Sequence, residues 1–128
     1  MERAWRLRKG LEFDTTYAKG TVTSGPLFVV RALPNGLDHP RWGFAVGKRI
    51  AKSAVVRNHT KRRLREAADA LGNVGGFDLV ITARARALGA RWPELSTSVA
   101  RQVRRATSPA PAASPSPQEP RRTQGAPE

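Results

Sequence analysis

The chain carries three stretches with the two-residue alternation or unbroken apolar run of β-strands, and three with the wider spacing of helices. In "LFVVRAL" (27–33), Phe28, Val30 and Ala32 fall on one face, and Leu27, Val29 and Arg31 on the other. "RWGFAVGK" (41–48) sets Phe44 and Val46 against Gly43, Ala45 and Gly47. The intervening "PNGLDHP" holds an Asn-Gly step and two prolines, which predicts a turn and pairs the two strands as a hairpin. A further strand is expected in "FDLVITAR" (77–84), after the glycine-rich "GNVGG". Of the helices, "GLEFDTTYAKG" places Leu11, Phe13 and Tyr17 ahead of a terminating Gly20. "VVRNHTKRRLREAADAL" (55–71) is capped by the Ser53 hydroxyl and closed by Gly72, and "RWPELSTSVARQVRRA" (91–106) accommodates Pro93 in its first turn. Helix, strands, helix, strand, helix is the order of an α+β sandwich, with helices packed on one sheet.

The middle helix adds chemistry to this pattern. Advancing about 100° per residue from Arg57, Lys61 lies at about 40°, Arg65 at about 80°, Asn58 at about 100° and Arg62 at about 140°. These five form one polar face. Val56, Thr60, Leu64, Ala67 and Leu71 gather between about 260° and 340°, an apolar stripe for docking on the sheet. Arg57, Lys61 and Arg65 follow one another at i+4 with no acid between them, although a solvated helix relieves such repulsion with interleaved carboxylates. Just before this helix, "GKRIAKS" adds Lys48, Arg49 and Lys52, close to backbone N–H groups that themselves favour anions. The whole chain of 128 residues has 23 Lys and Arg against 10 Asp and Glu, a net charge of +13. Self-repulsion of this size opposes folding, so the counter-charge is expected from an acidic partner. Arginine dominates the basic residues, 18 to 5, which suits phosphate and base recognition, although coding composition produces the same bias.

Other features narrow the reading. Residues 107–128 hold six of the ten prolines and no large apolar side chain, which predicts a folded RNA-binding domain at 1–106 and a disordered tail at 107–128. The tail's charges cancel, so the excess belongs to the folded part. The absence of cysteine excludes disulfides and thiolate metal sites. No apolar core follows the basic "MERAWRLRKG", and no apolar run approaches the ~20 residues of a membrane span, so a soluble cytoplasmic protein without a membrane partner is expected. The only histidines are His39 and His59, and no carboxylate cluster resembles a two-metal nuclease site, which argues against an independent enzyme and against a resident metal. Composition alone favours a generic RNA-binding or ribosome-associated protein.

The ordered run "GFAVGKRIAKSAVVRNHTKRRLREA" (43–67) resembles the signature of the bacterial ribonuclease P protein component: a strand, a Lys-rich loop and a helix opening Arg-Asn-Arg. The resemblance extends over about residues 5 to 105. It implies a small mixed sheet of about four strands with three helices, and a left-handed β-α-β crossover, contrary to the usual hand. It also implies a non-catalytic protein subunit. In that family an RNA subunit, using Mg2+ held mainly through the RNA, removes the 5′ leader of precursor tRNA, and the isolated protein is inactive. The implied partners are this catalytic RNA and the precursor tRNA leader, with no obligate protein partner. Carried over by position, the RNA-subunit face comprises Arg57, Asn58, His59, Lys61, Arg62 and Arg65, with Lys48, Arg49 and Lys52 alongside. His59 stands where the family usually has its second arginine, and Thr60 where it has an aliphatic residue; at about 200° on the wheel, His59 is as suited to a plain surface role as to an RNA contact.

The resemblance further implies a leader cleft between the sheet and the first helix, and strand alternation says which side chains line it. Arg31 is charged, so its face, shared with Val29, is the open one; the small Ala45 leaves room on the neighbouring strand. Arg84 adds a phosphate partner. Phe13 and Tyr17, one turn apart, serve equally to fill a core or to stack on leader bases.

Overall fold

Residues 77–83 are apolar at nearly every position, a composition that needs cover on both faces. The structure places them inside the sheet. A computed structural model of the chain describes residues 3–7 and 10–108; the side chains of Arg3 and Leu11 and the part of the expected tail from residue 109 onward lie outside the described residues. The helices are α1 (Gly10–Lys19), α2 (Ala54–Asp69) and α3 (Trp92–Thr107). The strands are β1 (Thr21–Ser24), β2 (Phe28–Pro34), β3 (Arg41–Ala45) and β4 (Phe77–Ala83), and short 3₁₀ turns occupy Arg3–Trp5 and Ala85–Ala87. They form one mixed sheet in the order β1-β2-β4-β3, antiparallel except for the β3/β4 pair.

This order corrects the expected hairpin. The strands at 28–34 and 41–45 do not pair with each other, because β4 lies between them, and β2 makes its hairpin with β1 instead. Crossing one intervening strand requires about 10 Å, twice the strand spacing, which the connection at 35–40 spans. Its Asn-Gly step makes a local turn without making a hairpin: Asn35 Oδ1 accepts from the Leu37 N–H at 2.8 Å, and Gly36 takes a positive φ of 74°. The Asn35 amide meanwhile donates to Asp78 Oδ1 on β4 at 3.0 Å, so the turn chemistry is spent on the inner strand.

Phe28, Val30 and Ala32 of β2, Trp42 of β3, and Leu79, Ile81 and Ala83 of β4 meet Leu64 and Ala67 of α2 and Leu95, Val99 and Val103 of α3 in one core. The Ser53 hydroxyl caps α2 by accepting from the Val56 N–H at 3.3 Å, and Gly72, at φ 69°, follows its last turn. The docking stripe of α2 consists of Thr60, Leu64, Ala67 and Ala68. Val56, expected within it, remains 41% exposed, and Val46 and Ala51 of the approach segment enter the core ahead of the helix. On α3 the buried Gln102 amide donates to the carbonyls of Thr23 (3.1 Å) and Phe28 (3.2 Å), clamping the turn end of the β1/β2 hairpin. A Cβ on Gly25 would stand 2.5 Å from Gln102 Oε1, so glycine keeps this clamp seated.

The opposite face of the sheet carries one ion cluster. The Arg41 guanidinium grips Asp78 through Nε to Oδ1 (2.8 Å) and Nη2 to Oδ2 (2.7 Å), while Nη1 donates to Glu12 Oε2 of α1 at 2.9 Å. Asp78 is buried, and its hydrogen bond is the main reason that the Arg41 pKa lies above the ordinary arginine value. Arg41→Ala strands this carboxylate without its partner and is expected to cost about 3–5 kcal/mol in urea unfolding, whereas Arg41→Lys, which keeps the charge and loses the fork, costs less.

Candidate nucleic-acid interface

Strand register sets the open face of the sheet in rows. Val22, Arg31, Val80 and Gly43 form one row, and Ser24, Val29, Thr82 and Ala45 the next. The α1 helix lies across them. The Phe13 ring rests on Gly43 so closely that an added Cβ would stand 2.4 Å from it, which explains the missing side chain there. One turn on, the Tyr17 hydroxyl hydrogen-bonds Thr82 Oγ1 at 3.1 Å, and the Arg31 guanidinium lies 4.6 Å from the centre of the Tyr17 ring. Tyr17 is 40% exposed and Phe13 is half-buried, so neither is a full core residue. Val29, Arg31 and Ala45 are likewise half-buried. Arg84 continues β4 in extended conformation, its N–H donating to Leu27 O at 2.8 Å, and is exposed. The six residues expected in a cleft therefore border one surface between α1 and the sheet.

The polar face of α2 is less uniform than a helical wheel makes it. Asn58, His59 and Arg62 are exposed, as are Lys48, Arg49 and Lys52 in the approach segment. Arg57 bends back: its Nη1 donates to the carbonyls of Ala51 and Lys52, both at 2.8 Å, and so braces the segment that presents the other cations. Lys61 and Arg65 turn toward the sheet edge, where they line a groove of about 230 Å³ with Arg6, Leu7, Phe13, Trp42, Gly43 and Phe44. Arg63, on the opposite flank, donates to the Ala90 carbonyl and ties α2 to the segment before α3.

Two contributors were not legible from periodicity. Arg6 reaches the groove because Leu7 N–H donates to Trp42 O at 2.8 Å, adding the N-terminal segment to the β3 edge. Phe44, assigned to the core by alternation, is only half-buried and carries Arg65 5.8 Å from its ring centre. The basic "MERAWRLRKG" was the available signal for Arg6, but a single bridge has no periodicity to betray it. Among the described residues no three His, Asp or Glu side chains are grouped to hold a metal ion.

Known proteins with this sequence pattern decide the family. The profile of the Ribonuclease P family matches residues 1–107. The chain is 39% identical over 99 residues to the ribonuclease P protein component of Dehalococcoides mccartyi, covering 77% of this chain and 82% of that protein. This chain belongs to the ribonuclease P protein family. It is also 40% identical over 109 residues to the component from Symbiobacterium thermophilum, covering 83% of this chain and 94% of the relative. The solved ribonuclease P protein of Staphylococcus aureus superposes with a TM-score of 0.72 at 29% identity, over 81% of this chain and 96% of that one.

Within that family the two departures in the helix motif have different consequences here. Thr60 is buried, and its hydroxyl is satisfied by the Val56 carbonyl at 2.9 Å, so it fills an aliphatic position without an unpaired polar atom. His59 is exposed, so its substitution changes surface charge without touching packing. The division of labour along α2 gives a direct contrast. Arg57→Ala is expected to lower stability by about 1 kcal/mol through its lost carbonyl bonds, and Arg62→Ala by less than about 0.5 kcal/mol, both read from urea midpoints of the free protein.

Proposed function

We propose that this chain is the protein subunit of ribonuclease P and assists a catalytic RNA in removing the 5′ leader from precursor tRNA. The observation that carries the reading is the union of two surfaces on one rigid scaffold. A cleft offers the Phe13 and Tyr17 rings beside Arg31 and Arg84, and the exposed cations of α2 and the preceding segment stand beyond it. In this reading single-stranded leader enters the cleft, where stacking on an aromatic ring contributes roughly 1 to 3 kcal/mol per base. Asn58, Arg62, Lys48, Arg49 and Lys52 meet phosphates of the RNA subunit, and Arg57 positions them.

The division of chemistry follows from the side chains present. Glu12 and Asp78 are engaged by Arg41, and with no His, Asp or Glu cage among the described residues, the residues present do not suit a resident ion. Mg2+ is assigned to the RNA, where it supplies the hydrolytic chemistry, and the protein contributes binding and orientation. The isolated protein is then inactive, and no second protein is required.

The direct test is cleavage of a precursor tRNA by a bacterial ribonuclease P RNA at low millimolar Mg2+ with and without the protein. Restored cleavage at the mature 5′ end, with none by protein alone, is the expected result; RNA binding without rescue would instead favour a general RNA-binding role. Phe13→Ala is expected to weaken holoenzyme affinity for precursor tRNA about ten-fold while leaving mature tRNA unaffected, and equal losses for both would remove the leader from the cleft. Arg62→Ala should reduce the salt slope of RNA-subunit binding by roughly 0.7 to 0.9, the share of one neutralised phosphate.

A further inference from the structure

Resting on that reading, we infer that the groove between α2 and the β3 edge is a binding site for one phosphodiester of the leader, and that Arg65 and Lys61 serve the substrate strand there and not the RNA subunit. The groove is lined by three cations, Arg6, Lys61 and Arg65, and by no carboxylate. Elsewhere in the structure a comparable arginine is fully matched: Arg41 has Asp78 and Glu12. Arg65 has neither, and its Nε is buried with no hydrogen-bond partner among the described residues. Burying Nε without an acceptor is costly, and a phosphate held on the terminal nitrogens of the same guanidinium offsets that cost. The side chain is held by the Phe44 ring, 5.8 Å from the guanidinium carbon, so packing orients the fork while its terminal nitrogens remain available.

Size and position identify the ligand group. At about 230 Å³ the groove is smaller than the roughly 300–1,000 Å³ of small-molecule pockets, which fits a single group of a longer chain. Phe13 lines the groove and also stands at the edge of the cleft, resting on Gly43 beside the open rows of the sheet. A nucleotide stacked on Phe13 therefore places an adjacent phosphate within reach of Arg65 and Lys61. The apolar wall of Leu7, Phe13 and Phe44 lowers the local dielectric and strengthens that contact.

A phosphate walk along the leader tests this. Precursor tRNAs with one neutral methylphosphonate at successive leader positions are bound to reconstituted holoenzyme containing wild-type, Arg65→Gln or Arg65→Lys protein. The expected result is a single position at which neutralisation weakens wild-type binding about ten-fold. Arg65→Gln weakens binding of unmodified precursor by a similar factor, and the two changes combined cost no more than either alone. Arg65→Lys, which keeps the charge but not the fork, gives an intermediate loss at the same position, and mature tRNA binds all three alike. Additive losses at every position would overturn the inference, as would an equal loss for mature tRNA or a weakening confined to assembly with the RNA subunit, which would give the phosphate to that RNA. Failure of the wild-type protein to restore cleavage at all would instead remove the underlying function.

Discussion

The position of α1 across the open face of the sheet depends on Asp78, a buried carboxylate on the inner strand β4. Its charge is tolerable only because Arg41 from the neighbouring parallel strand grips both oxygens and Asn35 donates to one of them. The same guanidinium then extends to Glu12 on α1, which makes the helix part of the sheet's ion cluster. Once Glu12 is held, its neighbour Phe13 falls on Gly43, and one turn later Tyr17 reaches Thr82 and Arg31. The geometry of the cleft is thus inherited from an interaction that faces it edgewise and needs no ligand of its own.

The distribution of charge has two regimes. Where an arginine is needed for architecture it is satisfied internally: Arg41 by carboxylates, Arg57 by the Ala51 and Lys52 carbonyls, Arg63 by Ala90. Around the cleft and along α2 the remaining cations are presented with little internal compensation. These cations contribute to the net charge of +13 without being matched by the fold. Arg57 shows how the regimes join, since a residue at the centre of the basic motif acts through the segment that it braces.

The sequence made the local elements readable because each has a local cause. Ser53 and Gly72 bound α2, Pro93 sits in the first turn of α3, and the alternation in β2 separates Phe28 and Val30 from Val29 and Arg31 as observed. It also brought Phe13, Tyr17, Val29, Arg31, Ala45 and Arg84 to one surface, because register preserves faces once the strands are paired. Strand order was not readable in the same way. The Asn-Gly step looked like a hairpin, whereas the uninterrupted apolar run in β4, the mark of a strand covered on both faces, was the signal that it belongs inside. β1 escaped notice because "TVTS" is short and mostly exposed. The wheel could not show that Arg57 folds back or that Arg65 lies on Phe44, since both depend on segments distant in angle or in sequence.

Placing the inner strand so late in the chain also constrains the order of assembly. Apart from the single bridge near Arg6, β3 has no hydrogen-bonded strand until Phe77–Ala83 arrives, and Asp78 and Arg41 find each other only then. On a ribosome, the N-terminal half emerges with its parallel edge unpaired and with Arg41 lacking the Asp78 carboxylate that fixes its guanidinium. The hairpin of β1 and β2 is local, but its Gln102 clamp comes later still, from α3. Completion of this sheet is therefore a long-range event, gated by the last quarter of the folded chain, and the cationic surface acquires its fixed geometry only at that step.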